Sequence, residues 1–117
     1  MKIVSMVAHP ITLVGNSKII EIQPSGLVLR APASREIMGY QSINGVNIPL
    51  VRVVYSKPTI PPLEEDAIYV VSRITAETVR WYYPEVAERF FVPMDPVRGS
   101  DGKVIGATIL ANVRYLR

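Results

Sequence analysis

The chain contains no cysteine and a single histidine, His9. Without thiols there can be no disulfide scaffold, Fe–S cluster, thiolate metal site or cysteine nucleophile. One imidazole excludes multi-histidine metal centres and leaves His9 as the only base a Ser–His–Asp site could use. Leucine is scarce, at 7 residues. Long apolar runs are also missing. The mostly apolar stretch from Ile3 to Ala8 ends at His9-Pro10 and is too short for a secretory core. No segment approaches the roughly 18 uncharged apolar residues of a membrane span. The expectation is a soluble protein of the cytoplasm with no membrane partner.

What replaces leucine is β-branched. Val and Ile together supply 29 of the 117 residues, which favours strands over helices. At 13.0 kDa the chain is expected to form a single domain over residues 1–117, large enough to bury a core without staples. The formal charge is +3, with nine Arg among the thirteen cations. Residues 1–58 carry a net +4 (six cations, two acids), and residues 59–117 a net −1 (seven cations, eight acids). Arginine suits bidentate recognition of phosphate or carboxylate. Arg-rich, Pro-containing, Cys-free chains are also found among thermophiles, and a heat-adapted source is expected.

Alternation and turn residues divide the chain. Strands are predicted over 2–8, continuing at Ile11–Val14, then over Lys18–Gln23, Gly26–Ala31, Glu36–Ser42 and Ile48–Tyr55. Asn44-Gly45 between the last two is a type I′ hairpin signal, because that turn needs φ > 0 at both central residues. After a Pro-rich loop ending in Glu64-Glu65-Asp66, Ala67–Ile74 reads as a central strand buried on both faces. One helix is predicted, capped by Thr75 and running from Ala76. Val79, Tyr83, Val86 and Phe90 share its apolar face, and Pro84 either kinks it or starts a second short helix. Pro93 and Pro96 suggest a loop. A hairpin turned by Ser100-Asp101-Gly102 then leads into a last strand, Lys103–Leu116. The fold class is α+β, predominantly β: a single antiparallel-rich sheet or small barrel of about seven strands, with one helix before the C-terminal hairpin.

Few residues suggest chemistry. No Gly-x-Ser-x-Gly elbow accompanies His9, which is expected to close a strand and bond nearby backbone. The consecutive acids 64–66 lack the alternating spacing of a calcium loop and read as a solvated turn. Gly15-Asn16-Ser17-Lys18 lacks phosphate-loop spacing and reads as a hairpin turn. No metal or cofactor is expected. Arg30, Arg52, Arg73 and Arg114 each fall in a predicted strand otherwise rich in apolar residues. On one face they would form a positive platform, with Tyr55, Tyr69 or Tyr115 to stack a base. On separate outer faces they would be ordinary surface arginines. The aromatic cluster Trp81-Tyr82-Tyr83 with Phe90-Phe91 is expected to seal the core, with an oligomer contact as the alternative.

The order of short motifs resembles a family of small uncharacterised proteins of phages, prophages and archaeal viruses. It is carried by His9-Pro10, Pro24-Ser25-Gly26, Gly45-Val46-Asn47-Ile48-Pro49, Ile68-Tyr69-Val70-Val71-Ser72, Pro96-Val97-Arg98 and Asp101-Gly102-Lys103-Val104-Ile105-Gly106. The chain departs from the pattern at Ala8-His9, where Pro-His is usual, at Pro58–Pro62, which replaces a Gly-Leu-Pro stretch, and at Gly99-Ser100, where an acid usually follows the arginine. The resemblance implies a viral context and a compact fold, but no reaction. His9, Ser72, Arg98 and Asp101 are the polar residues on its motifs.

Two function classes follow. The first is a non-enzymatic viral accessory protein that binds a small anionic ligand such as a nucleotide, or a host protein, as a homo-oligomer. Its ligand-binding candidates are Arg30, Arg52, Arg73, Arg98, Arg114, Tyr55, Tyr69 and His9. The second is a nucleic-acid-binding or virion-associated structural module. Nucleic acid ranks behind the small ligand because the net charge is only +3.

Overall fold

The computed structural model describes residues 1–116. Eight strands are present: β1 (Lys2–Ser5), β2 (Ile11–Gly15), β3 (Lys18–Ile22), β4 (Ala33–Ile43), β5 (Val46–Tyr55), β6 (Ala67–Val70), β7 (Phe90–Arg98) and β8 (Val104–Asn112). Helix α1 (Arg73–Tyr82) and a 3-10 helix (Pro84–Arg89) lie between β6 and β7, and a 3-10 turn (Val113–Tyr115) follows β8. The architecture is β-rich, with one α-helix before the C-terminal strands, as the composition predicts.

Six strands form one curled sheet in the order β1-β6-β7-β8-β2-β3. The sheet is mixed. β1 and β7 flank β6 in parallel, β8 and β2 meet in parallel, and the β2–β3 and β7–β8 hairpins are antiparallel. Consecutive strands β1 and β2 therefore sit far apart in the sheet instead of continuing one another. The curl brings the two edges together just beyond β3: Pro24 bridges to Ser5, and the Ser25 amide and hydroxyl both donate to the Ser5 carbonyl. Closing a sheet on itself removes most of its open edge, a common solution for small β proteins.

The core lies between one face of this sheet and the helices. Val4 and Met6, Ala67, Tyr69 and Val71, Phe90 and Val92 all belong to it, alternating along their strands as period-2 geometry requires. Val79 and Ala87 come down from the helices, with Tyr83 and Val86 packed beside them. The apolar face predicted across Val79, Tyr83, Val86 and Phe90 is real, although Phe90 reaches it from β7. Tyr69 and Val70 are both buried although they point to opposite faces, so β6 is the central strand predicted from its apolar run.

Local chemistry explains where the helix begins. Ser72 caps α1: its Oγ accepts from the Thr75 amide at 3.4 Å, and its carbonyl accepts from Ala76. Thr75, predicted to cap, lies one turn inside and bonds the buried Leu29 carbonyl. The strand predicted to reach Ile74 stops at Val70, and Arg73 stands at the first helical position. Replacing Ser72 with Ala is expected to cost about 1 kcal/mol, read from the midpoint of a denaturant melt. Pro84 opens the 3-10 helix, since a first-turn residue needs no amide hydrogen.

Three other expectations are corrected. Residues 26–31 form no strand. The segment is pinned crosswise by Leu29, whose amide donates to Met6, so its alternation reflects one buried anchor. Pro93 and Pro96 lie within strand β7, not in a loop. β7 pairs with β8 along its length but with β6 only at Phe90 and Phe91, so beyond that point one edge is free and a missing amide hydrogen is tolerated. The last strand ends at Asn112, whose side chain caps the following 3-10 turn by accepting from the Arg114 amide at 3.1 Å.

β4 and β5 pair only with each other. Asn44 and Gly45 have φ of 47° and 80°, the conformation of the predicted I′ turn. The hairpin projects as an arm. The chain measures 54 × 40 × 26 Å with a radius of gyration of 17.5 Å. A compact chain of this length would have a radius near ~13 Å.

Candidate functional site

The arm is the feature that sets this molecule apart from an ordinary small β domain. Its charges are confined to its base, where Glu36 pairs with Arg52 directly across the ladder and Arg35 stands beside them. From Ile37 to Val51 there is no charged residue. Both faces are nonetheless open: Ile37, Met38, Tyr40 and Ile43 on β4 and Val46, Leu50, Val51 and Val53 on β5 are all exposed, Met38 at 73%. An isolated two-stranded hairpin is marginal in water. Natural edge strands are usually protected by charge, proline or cover. Only Pro49 on β5 does so here, opposite Tyr40. Met38 forms a bulge between Ile37 and Gly39, which adds twist without adding charge.

Where the arm leaves the body it meets α1. A cavity of about 510 Å³ lies there, lined by Arg52, Tyr55, Glu36, Glu77, Ile74 and Trp81 among others. The Tyr82 hydroxyl donates to the Tyr55 carbonyl at 3.4 Å and ties the arm base to the helix. Trp81, expected in the core, is 80% exposed on this rim. The helix turns its Val79 face inward, which leaves position 81 pointing away.

The structure disperses most of the residues singled out as ligand-binding. Of the four arginines predicted to lie in strands, Arg30, Arg52, Arg73 and Arg114, only Arg52 does so, and its guanidinium is paired with Glu36. Arg73 begins α1 and pairs with Glu77 at 3.6 Å. Arg98 ends β7 and donates to the Gly102 carbonyl at 2.9 Å. Arg114, in the 3-10 turn, bonds Glu88 and the Pro84 carbonyl. Arg30 lies on the irregular segment after Leu29. Tyr69 is buried, its ring stacked on Phe90 at 5.4 Å and covered by the Arg89 guanidinium, so it could stack a base only by leaving the core. Two pairs of candidates do come together, Arg52 with Tyr55 at the arm-base cavity and His9 with Arg30. His9 and Arg30 line a small cavity of about 150 Å³ with Ser72, at the start of α1. His9 is exposed, with Nδ1 at 3.0 Å from the Pro10 carbonyl.

The acids at 64–66 face cations. Lys2 donates to Glu64 at 3.2 Å, and the Met1 amino group lies 3.6 Å from Asp66. Among the described residues no cluster of His, Asp and Glu could hold a metal ion, and no helix is long and apolar enough to cross a membrane. Sequence reasoning missed the arm as a site because its strands alternate and carry Val and Ile like any core strand. The available signal was the uncharged run from 37 to 51. Comparison with known families, with curated proteins and with solved structures gives no match.

Proposed function

We propose that this chain is a non-enzymatic interaction module, in which a closed β body presents the β4–β5 arm to a protein partner. The observation that carries this reading is the fifteen-residue uncharged segment 37–51, exposed on both faces of a hairpin that none of the other described residues covers. Burying such a surface against a partner is favourable by about 25 cal/mol per Å² of apolar area. The resemblance to small phage and archaeal-virus proteins fits a virion-associated or accessory role in the cytoplasm of an infected cell.

The test is excision. Replacing residues 37–51 by a two-residue Asn-Gly turn is expected to leave the body melting cooperatively within a few degrees of the parent, because the core residues lie outside the arm. Thermal circular dichroism reads this. If the shortened chain fails to fold, the arm is part of the body and the reading is overturned.

A second reading, the anionic ligand, finds support where His9, Arg30 and Ser72 meet. A helix N-terminus favours negative charge there, and Arg30 would supply a bidentate contact. At about 150 Å³ the space suits a phosphate group better than a whole nucleotide. Phosphate and nucleotides should then raise the melting temperature, and Arg30→Ala should abolish the rise. A flat response across a nucleotide panel removes this reading.

A further inference from the structure

We propose that the partner of the arm is a second copy of this chain, which receives it in the cavity between β2 and the β7–β8 hairpin. The proposal rests on the arm being an interaction surface, and it names the occupant.

Arm and cavity match in chemistry. An arm with no charge from 37 to 51 needs a receiving surface without charge, since burying an unpaired ion is costly. The body carries one. A cavity of about 480 Å³ is lined by Pro10, Ile11, Met94, Pro96, Ile105 and Ala107 among others; no Asp, Glu, Lys or Arg borders it, and His9 stands at its edge. Exposed apolar residues also stand on the neighbouring strands, although β3 carries Lys18 and Glu21 as well. Val104, Ile105 and Ile109 on β8 are exposed, as are Ile19 and Ile20 on β3, Ile19 at 70%. β3 is also the last strand of the sheet, and over Lys18–Ile22 it is paired in the ladder only with β2. Its other edge offers backbone groups to an incoming strand. The alternatives match less well. The cavity at the arm base holds Glu36, Arg52 and Glu77, and the one at the sheet seam holds Lys2 and Glu64.

One arm comes close to the size of a standard interface, and two arms exchanged between chains exceed it. Ten paired residues at ~3.4 Å each, on a ribbon two strands and ~10 Å wide, present roughly 700 Å² over two faces. A standard interface needs about 800 Å² from each partner. Arm and cavity are different patches, so the contact is made by unlike surfaces. It either closes reciprocally between two chains or repeats head to tail around a ring or along a filament.

Two surface variants separate the halves of the contact. Tyr40→Asp spoils the arm, and Ile105→Asp spoils the cavity. Both positions are exposed, and circular dichroism verifies that the body stays folded. If Ile105→Asp does not fold, Ile20→Asp on β3 takes its place. Light scattering coupled to gel filtration is expected to show the parent as an oligomer and each variant as a monomer, with self-affinity about tenfold to a hundredfold weaker. Mixing the two variants should restore a pair of chains, because one intact arm then meets one intact cavity. A monomeric parent at micromolar concentration overturns the proposal, as does a variant that assembles like the parent, or monomeric variants that do not pair on mixing. Arm excision reads the other question. A folded armless body beside a monomeric parent would sustain an interaction module whose partner is a different protein.

Discussion

Phe90→Ala is expected to leave a large part of the chain unfolded at physiological temperature. Phe90 is fully buried at the start of β7, where it pairs with Tyr69 in the ladder and stacks on its ring at 5.4 Å. It shares its cluster with Val79 and Ala87 from the helical segment, so it sits where the sheet meets its cover. Truncating such a residue costs about 3–5 kcal/mol, against a total of roughly 5–15 kcal/mol for a domain. The melting temperature should fall by roughly 15–30 °C. Phe91→Ala, at a half-buried neighbour on the opposite face, should cost clearly less. Thermal melts of the two variants decide the point, and equal losses would mean that the core is not organised around Phe90.

Gly106→Val should act on one junction of the sheet. A Cβ at position 106 would lie 3.0 Å from the Thr12 carbonyl oxygen and 3.1 Å from the methyls of Thr12 and Val14. β8 and β2 are joined in register only at Ala107 and Leu13, so they have little ladder with which to resist being pushed apart. Overpacking of this kind costs about 1–3 kcal/mol, with Val at the upper end and Ala below it. The β2–β3 hairpin should then loosen as a unit. In hydrogen exchange, amides of residues 11–22 are expected to lose protection while those of β6 and β7 keep theirs. A uniform loss across the sheet would show that β2 and β3 are not a separable unit.

The features legible in the sequence are those set by a few adjacent residues. Asn44-Gly45 reads as a I′ turn because its neighbours cannot supply two positive φ angles as cheaply, and the turn forms there. Pro84 reads as a helix start and is one. The apolar run Ala67–Ile74 reads as a strand covered on both faces; its first four residues form β6, where Tyr69 and Val70 are buried, and the rest turns into the helix. The arginine platform was not legible in the same way. Arg30 follows the apolar pair Val28-Leu29, and Arg73 and Arg114 adjoin Ile74 and Val113, yet they lie in an irregular segment, at a helix start and in a 3-10 turn. What ended those strands was a cap or an anchor made by a distant residue, such as the Leu29 contacts with Met6 and Thr75.

From the sequence alone, the missing thiols and the single histidine already narrowed the chemistry, and the 29 Val and Ile residues set a β-rich fold. Composition and local φ preferences are properties of residues and their immediate neighbours, so no tertiary contact is needed to read them. Which strands pair, and which remain uncovered, is a different matter. Val51 and Val53 on the arm have the same intrinsic preference as Val70 and Val71 in the core, yet the first two are exposed and the last two are not. A strand's burial depends on what the rest of the chain lays against it. Here the six-stranded sheet closes through Ser5 and Pro24 without β4 and β5, which leaves the arm outside with its apolar faces open.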